Sequence, residues 1–166
     1  MTKSKLINKW LIIPKINVRA KITVKRIGST GIMPSPGNPD DVLFYDFAKW
    51  PKLGGIPGKF GNSIISGHVD SGFKPCKGGT VPPPCEAVFW DIDKLKAGDT
   101  IQIKTPIRNL TYKVTSNIEI PADSIRWSRL LASTRKQTVT LITCNGRFNT
   151  KNRQYSHRQA VRAILI

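Results

Sequence analysis

The sequence lacks any apolar run near the ~18 residues a membrane-spanning helix needs; Trp10-Leu11-Ile12-Ile13 stops at Pro14. It also lacks a secretory signal, since no apolar stretch with a small-residue cleavage site follows the N-terminus. Two readings follow: a protein kept inside the cell, or a chain whose export and anchoring segment is removed. Acids are scarce, 10 Asp+Glu against 27 Lys+Arg, which leaves a net charge of +17. Carboxylates spread so thinly give calcium little support, and the charge predicts an anionic partner, either a membrane surface or a wall polymer. Nucleic acid is not expected, because there is no zinc-finger spacing, helix-turn-helix signature or RRM-type aromatic motif. His68 and His157 are the only histidines. Together with three cysteines they make a poor source of the four ligands of structural zinc. No metal or cofactor is implied.

What is present suits one domain. The 166 residues are 39% hydrophobic and 22% charged, enough for a soluble core. Alternating and β-branched residues dominate, and long helical periodicity is missing. Leu11–Ile13, Ile16–Val24, Asn62–His68, Thr100–Lys104, Leu110–Ile120, Thr138–Cys144 and Tyr155–Ile166 are expected as strands. Asp41–Asp46, Val88–Leu95 and Asp123–Leu131 are expected as short helices. Gly28–Asp41, Gly54–Gly61 and Asn145–Gln154 are expected as loops. Many short strands with Gly/Pro turns and few helices predict a mainly β, closed or nearly closed barrel.

The cysteines divide unevenly. Cys76 and Cys85 bracket a Gly/Pro-rich loop, Lys77 to Pro84, and are expected to pair as a disulfide in an oxidising compartment. Cys144 stands alone in Thr138-Val139-Thr140-Leu141-Ile142-Thr143-Cys144. His68 and Cys144 each close an apolar run beside a Gly- or Asn-Gly-flanked turn, and Arg158 lies in the last run. A free thiol has a pKa of about 8.5, so it needs a base and a positive charge to serve as an acyl-transfer nucleophile. Histidine can carry the proton of a departing amine, and arginine can hold an oxyanion without losing its charge. Each residue also has a plainer role: Cys144 as core, His68 as a structural hydrogen-bonder, Arg158 as part of the basic face.

Thr140-Leu141-Ile142-Thr143-Cys144 resembles the TLxTC signature of the sortases, the cysteine transpeptidases of Gram-positive cell surfaces. Gly67-His68 resembles their glycine-histidine pair, Arg158 falls where they carry an arginine, and Leu95-Lys96-Ala97-Gly98-Asp99 is similar to their L-x-x-G-D turn. The likeness spans residues 11–166, with residues 1–10 expected to follow a removed membrane anchor on the extracellular face. It implies a barrel of about eight strands that cleaves an LPxTG-like sorting signal between Thr and Gly through a thioacyl enzyme. The acyl group then passes to an amine, such as a peptidoglycan precursor or a pilin lysine. The implied catalytic residues are Cys144, His68 and Arg158, with Thr143 and Asp70 assisting substrate binding and Asp70 available to orient His68. Arg153 competes with Arg158 for the arginine role. The implied partners are surface proteins or pilins that bear sorting signals. Within the family, the Gly54–Gly61 loop and the Gly67–Asp70 run are most similar to class E or class F.

Two other readings fit parts of the pattern. A chymotrypsin-like cysteine protease also orders His before Cys, but would want a Gly-x-Cys-Gly loop where Thr143 and Asn145 flank Cys144. A non-catalytic cationic β-module gripping anionic polymer would leave Cys144 as core. An L,D-transpeptidase is disfavoured, since its Ser-x-Gly-Cys-x-Arg context is absent.

Overall fold

Strand-forming residues fill most of the chain, and the sheet they build closes on itself. The computed structural model describes residues 8–72, 76, 79, 82–149, 151–152 and 154–166, with the backbone alone for 145–148. The strands are β1 (Trp10–Ile13), β2 (Val18–Arg26), β3 (Val42–Asp46), β4 (Gly61–Gly67), β5 (Thr100–Lys104), β6 (Asn109–Pro121), β7 (Gln137–Asn149) and β8 (Gln154–Leu165). One short helix, α1 (Trp127–Leu131), lies between β6 and β7. The barrel order is β1-β2-β3-β4-β7-β8-β6-β5, and β5 pairs back onto β1. Two neighbouring pairs, β2–β3 and β4–β7, are parallel, and the rest are antiparallel.

Period-2 alternation sorts the side chains onto two faces. Leu11, Ile65, Ile103, Leu141 and Val161 point into the barrel and form its core. Their strand neighbours Ile64, Ile142 and Ala160 point outward, yet they too are buried, in a second apolar cluster with Tyr45 and Leu130. Trp50, Trp127 and Leu131 pack on that outer cluster. Strands β3 and β4 are therefore covered on both faces, and their runs show little polar alternation. Asn62 ties this outer layer down. Fully buried, it donates Nδ2 to the carbonyls of Leu130 and Ala132 at 2.8 and 3.2 Å and accepts from Thr140 Oγ1 at 2.7 Å.

Four expectations change. Asp41–Asp46 is not a helix: Val42–Asp46 is strand β3, parallel to β2 and antiparallel to β4. Its apolar run is buried by strands on both sides, an environment that overrides the helix-cap signal of Asp40 and Asp41. Within Val88–Leu95 only Ile92–Lys94 is helical, as a single 3-10 turn held by Asn117 Nδ2 on the carbonyls of Ile92, Asp93 and Leu95. Pro14 opens another 3-10 turn, Pro14–Ile16, so β2 begins only at Val18. Finally, β7 does not stop at Cys144 but continues to Asn149, pairing with β8 across an irregularity between Asn145 and Phe148.

Candidate active site

Register and parity bring the three chemistry-bearing residues to one face. Cys144 is the register partner of Arg158 across β7 and β8. Both share the outward parity of Ile142 and Ala160. In the parallel pair β4–β7, Ser66 lies opposite Ile142. Two residues further along each chain, the same step brings His68 level with Cys144, on the outward parity of Ile64 and Ser66. His68, Cys144 and Arg158 all line one cleft of about 320 Å³, together with Met33, Pro36 and Trp127. One wall comes from α1, anchored by Asn62, and the other from the proline-rich segment between β2 and β3.

That segment also holds the imidazole. His68 Nε2 lies 2.6 Å from the carbonyl oxygen of Pro36. A carbonyl can only accept, so Nε2 carries the proton, and Nδ1 is the nitrogen left for chemistry. The segment is itself pinned, by Tyr45 Oη donating to Pro34 O, Trp50 Nε1 to Gly28 O and the Val88 amide to Pro39 O. Asp70, expected as a partner of His68, takes another one. Its Oδ2 accepts from the Tyr155 hydroxyl and its Oδ1 from the Gly72 amide at 2.8 Å.

Cys144 is half-buried and is the free cysteine. Burial pushes its thiol up from the usual range, the Arg158 guanidinium pulls it down, and the Asp70 carboxylate adds a further upward push. Arg158 donates from Nη1 to the carbonyls of Tyr155 and His157 at 3.1 and 3.0 Å. This fixes the guanidinium plane at the cleft while leaving other N–H groups of its fork for a ligand. Thr143 points to the opposite face and is buried; its Oγ1 donates to Gly67 O at 2.7 Å. It therefore ties β7 to the residue before His68. Arg153 lies outside the described residues.

Cys76 and Cys85 are bonded as a disulfide, with Cα atoms 5.8 Å apart. The chain after Cys85 runs back along the segment that follows His68. Ser71 and Cys85 share a backbone bond, Asp70 bridges Glu86, and the Ala87 and Phe89 amides donate to Val69 O and His68 O. Half of the intervening loop, residues 77–78 and 80–81, lies outside the described residues. No group of metal-ligating side chains is found among the described residues.

Sequence reasoning missed Tyr155 and Pro36. Tyr155 meets Asp70 across 85 positions of chain, and Pro36 acts through its carbonyl, which no side-chain motif can announce.

The eight-stranded barrel thus holds cysteine, histidine and arginine in one outer groove. The sequence matches the Sortase domain family over residues 11–166, and the chain belongs to that family of cysteine transpeptidases. A comparison with curated proteins finds no match. Among solved structures, the chain is similar to a sortase D5 transpeptidase from Clostridium perfringens, at 22% identity over 95% of this chain and 78% of that one, TM-score 0.63. It is also similar to sortase C1 from Streptococcus agalactiae, at 23% identity over 100% and 70% of the two chains, TM-score 0.64. A lid mutant of sortase A from Corynebacterium diphtheriae follows at 20% identity over 95% and 69%, TM-score 0.63. Three classes at equal likeness share the fold, and the fold alone does not sort this chain among classes. No helix among the described residues is long and apolar enough to cross a membrane.

Proposed function

We propose that Cys144 is the nucleophile of a transpeptidase that cleaves an LPxTG-like sorting signal between Thr and Gly and passes the acyl group to an amine. The observation that carries this reading is the single cleft shared by Cys144, His68 and Arg158. Cys144 Sγ attacks the Thr carbonyl, a C–S bond forms, and the C–N bond to Gly breaks. His68 takes the thiol proton at Nδ1 and delivers it to the departing amine, while Pro36 O keeps the ring oriented through Nε2. Arg158 steadies the oxyanion with the N–H groups that its backbone anchors leave open. The incoming amine then reverses these steps. Thr143 contributes by holding β7 against Gly67, so that Cys144 and His68 keep their spacing.

Family membership sets aside the chymotrypsin-like protease, and a cleft that gathers these three residues favours an enzyme over a polymer-binding module. We further place the enzyme on the extracellular face of the membrane, held by an N-terminal anchor, with its +17 charge toward anionic lipid or wall polymer. Its partners are surface proteins or pilins that carry the sorting signal. The Cys76–Cys85 disulfide supports this location, since such bonds persist in oxidising compartments. Incubating the protein with a sorting-peptide library and amine acceptors, then reading the products by mass, tests the proposal. Products ending in an acyl-Thr amide support it; cleavage at unrelated bonds, or none, overturns it.

A further inference from the structure

Behind α1, away from Cys144, the outer face of the sheet holds a small hollow of about 160 Å³. It is lined by Ile118, Ile120, Arg126, Arg129, Leu130 and Arg162. None of these lines the cleft of Cys144, which takes Trp127 and Leu131 from the same helix. Three arginines therefore gather over an apolar floor of two isoleucines and a leucine. A net charge of +17 predicts cations spread over a surface, not three of them turned into one concavity.

Arg162 is set in place by the fold. It has the outward parity of Ala160 on β8, with Thr140 of β7 as its register partner. Its Nε donates to Thr140 Oγ1 at 3.3 Å and its Nη2 to Leu130 O at 2.9 Å. A guanidinium has five N–H donors, so three remain. The residue is half-buried, and burial pulls its pKa down, yet arginine keeps its charge in a protein. No side-chain carboxylate answers that charge. All ten Asp and Glu lie among the described residues. None of them lines the hollow, and none forms an ion pair with Arg126, Arg129 or Arg162. Arg126 and Arg129 are exposed and add two more cations. A half-buried charge without a counter-charge is unfavourable, and an anion seated among the three would offset that cost.

We infer that this hollow binds a phosphate ester, with the phosphate among Arg126, Arg129 and Arg162 and its carbon stem on Ile118 and Ile120. The planar guanidinium fork meets phosphate oxygens two at a time, in short charge-assisted bonds. The volume lies below the ~300 Å³ at which pockets for larger ligands begin, which suits one phosphate on a short stem. Ile118 is exposed beside the arginines, so the stem covers apolar surface that water otherwise wets. Arg129 belongs to α1 and Arg126 directly precedes it, whereas Arg162 belongs to the sheet. A bound ester thus pins to the sheet the helix that walls the cleft of Cys144.

The test titrates glycerol 3-phosphate into the protein at constant ionic strength and follows binding by calorimetry. Wild-type protein should bind it saturably, and its melting temperature should rise with ester concentration. Arg126→Gln/Arg129→Gln alters only exposed side chains and should fold normally. Losing hydrogen bonds to a charged group should weaken its binding at least about tenfold. Lys25→Gln/Lys104→Gln removes two exposed charges elsewhere on the barrel and should leave the affinity unchanged. Equal losses in the two pairs would mean diffuse attraction to the cationic surface and would overturn the site. Vesicles of phosphatidylglycerol in phosphatidylcholine separate a lipid headgroup from a free ester. Saturable binding of the soluble ester assigns a free one. Binding of vesicles alone, lost only in the arginine pair, assigns a headgroup. A wild-type protein that binds neither, or whose binding does not depend on Arg126 and Arg129, overturns the inference.

Discussion

Cys144 and Arg158 face each other as register partners on antiparallel strands, and both point out of the barrel. The guanidinium favours the thiolate by charge attraction, while burial opposes it more strongly, with Asp70 adding to the opposition. The balance leaves the thiol raised, so it is neutral in the resting protein at neutral pH. In the proposed reaction the proton has to leave during attack, the task assigned above to His68 Nδ1.

These opposed charges predict a pH dependence with a defined sign. The alkylation rate of Cys144 should climb with pH and reach its midpoint above the ordinary thiol value of about 8.5. Arg158→Gln removes the attraction and should move the midpoint further up. Asp70→Asn removes the repulsion and should move it down. Iodoacetamide kinetics across pH on the three proteins check the ordering. An unmoved midpoint in the arginine variant would mean that its charge does not reach the sulfur.

Gly67 has no room for a side chain. A Cβ there would sit 2.6 Å from Phe89 Cδ2 and 2.8 Å from Val88 Cγ1, and Phe89 is fully buried. Gly67→Ala should therefore cost about 1–3 kcal/mol, as overpacking typically does. Because His68 is the next residue, kcat/KM should fall as well. Gly28→Ala meets nothing within 4 Å and serves as the neutral control. Urea denaturation and turnover of both variants make the comparison.

The disulfide closes a short loop, Cys76 to Cys85, separated by nine positions. Loop entropy assigns such a closure on the order of 2–3 kcal/mol. Native protein should show one alkylatable thiol and reduced protein three, and reduction should lower the melting temperature. Since Cys85 anchors the chain that runs beside Asp70 and His68, reduction should also slow turnover. A melting temperature unchanged by reductant would mean that the backbone bonds of Ser71, Ala87 and Phe89 hold the segment unaided.

Much of the site was legible because strand parity is a local property. Alternation within Thr138–Cys144 places Cys144 on the face of Ile142, and the last run places Arg158 on the face of Ala160. What was not legible depends on partners distant in sequence. Val42–Asp46 has a helix-cap signal before it and no alternation, and its strand character comes from β2 and β4 on either side. Asn145–Asn149 is polar and looks like loop, yet its backbone pairs with β8. Asp70 could be placed near His68 from sequence, but its true partner, Tyr155, is reached only when β8 folds beside β7.

The most direct measurement is the intact mass of the protein after brief exposure to an LPxTG-like peptide. Wild-type enzyme should gain the mass of the acyl fragment up to Thr, on Cys144, and lose it when an amine is added. Cys144→Ala should stay folded and gain nothing. His68→Ala should be nearly as deficient, and Arg158→Ala should form the adduct at least about a hundredfold more slowly, as loss of an oxyanion donor does. An adduct of the same mass on the Cys144→Ala protein would place the nucleophile elsewhere and contradict the account.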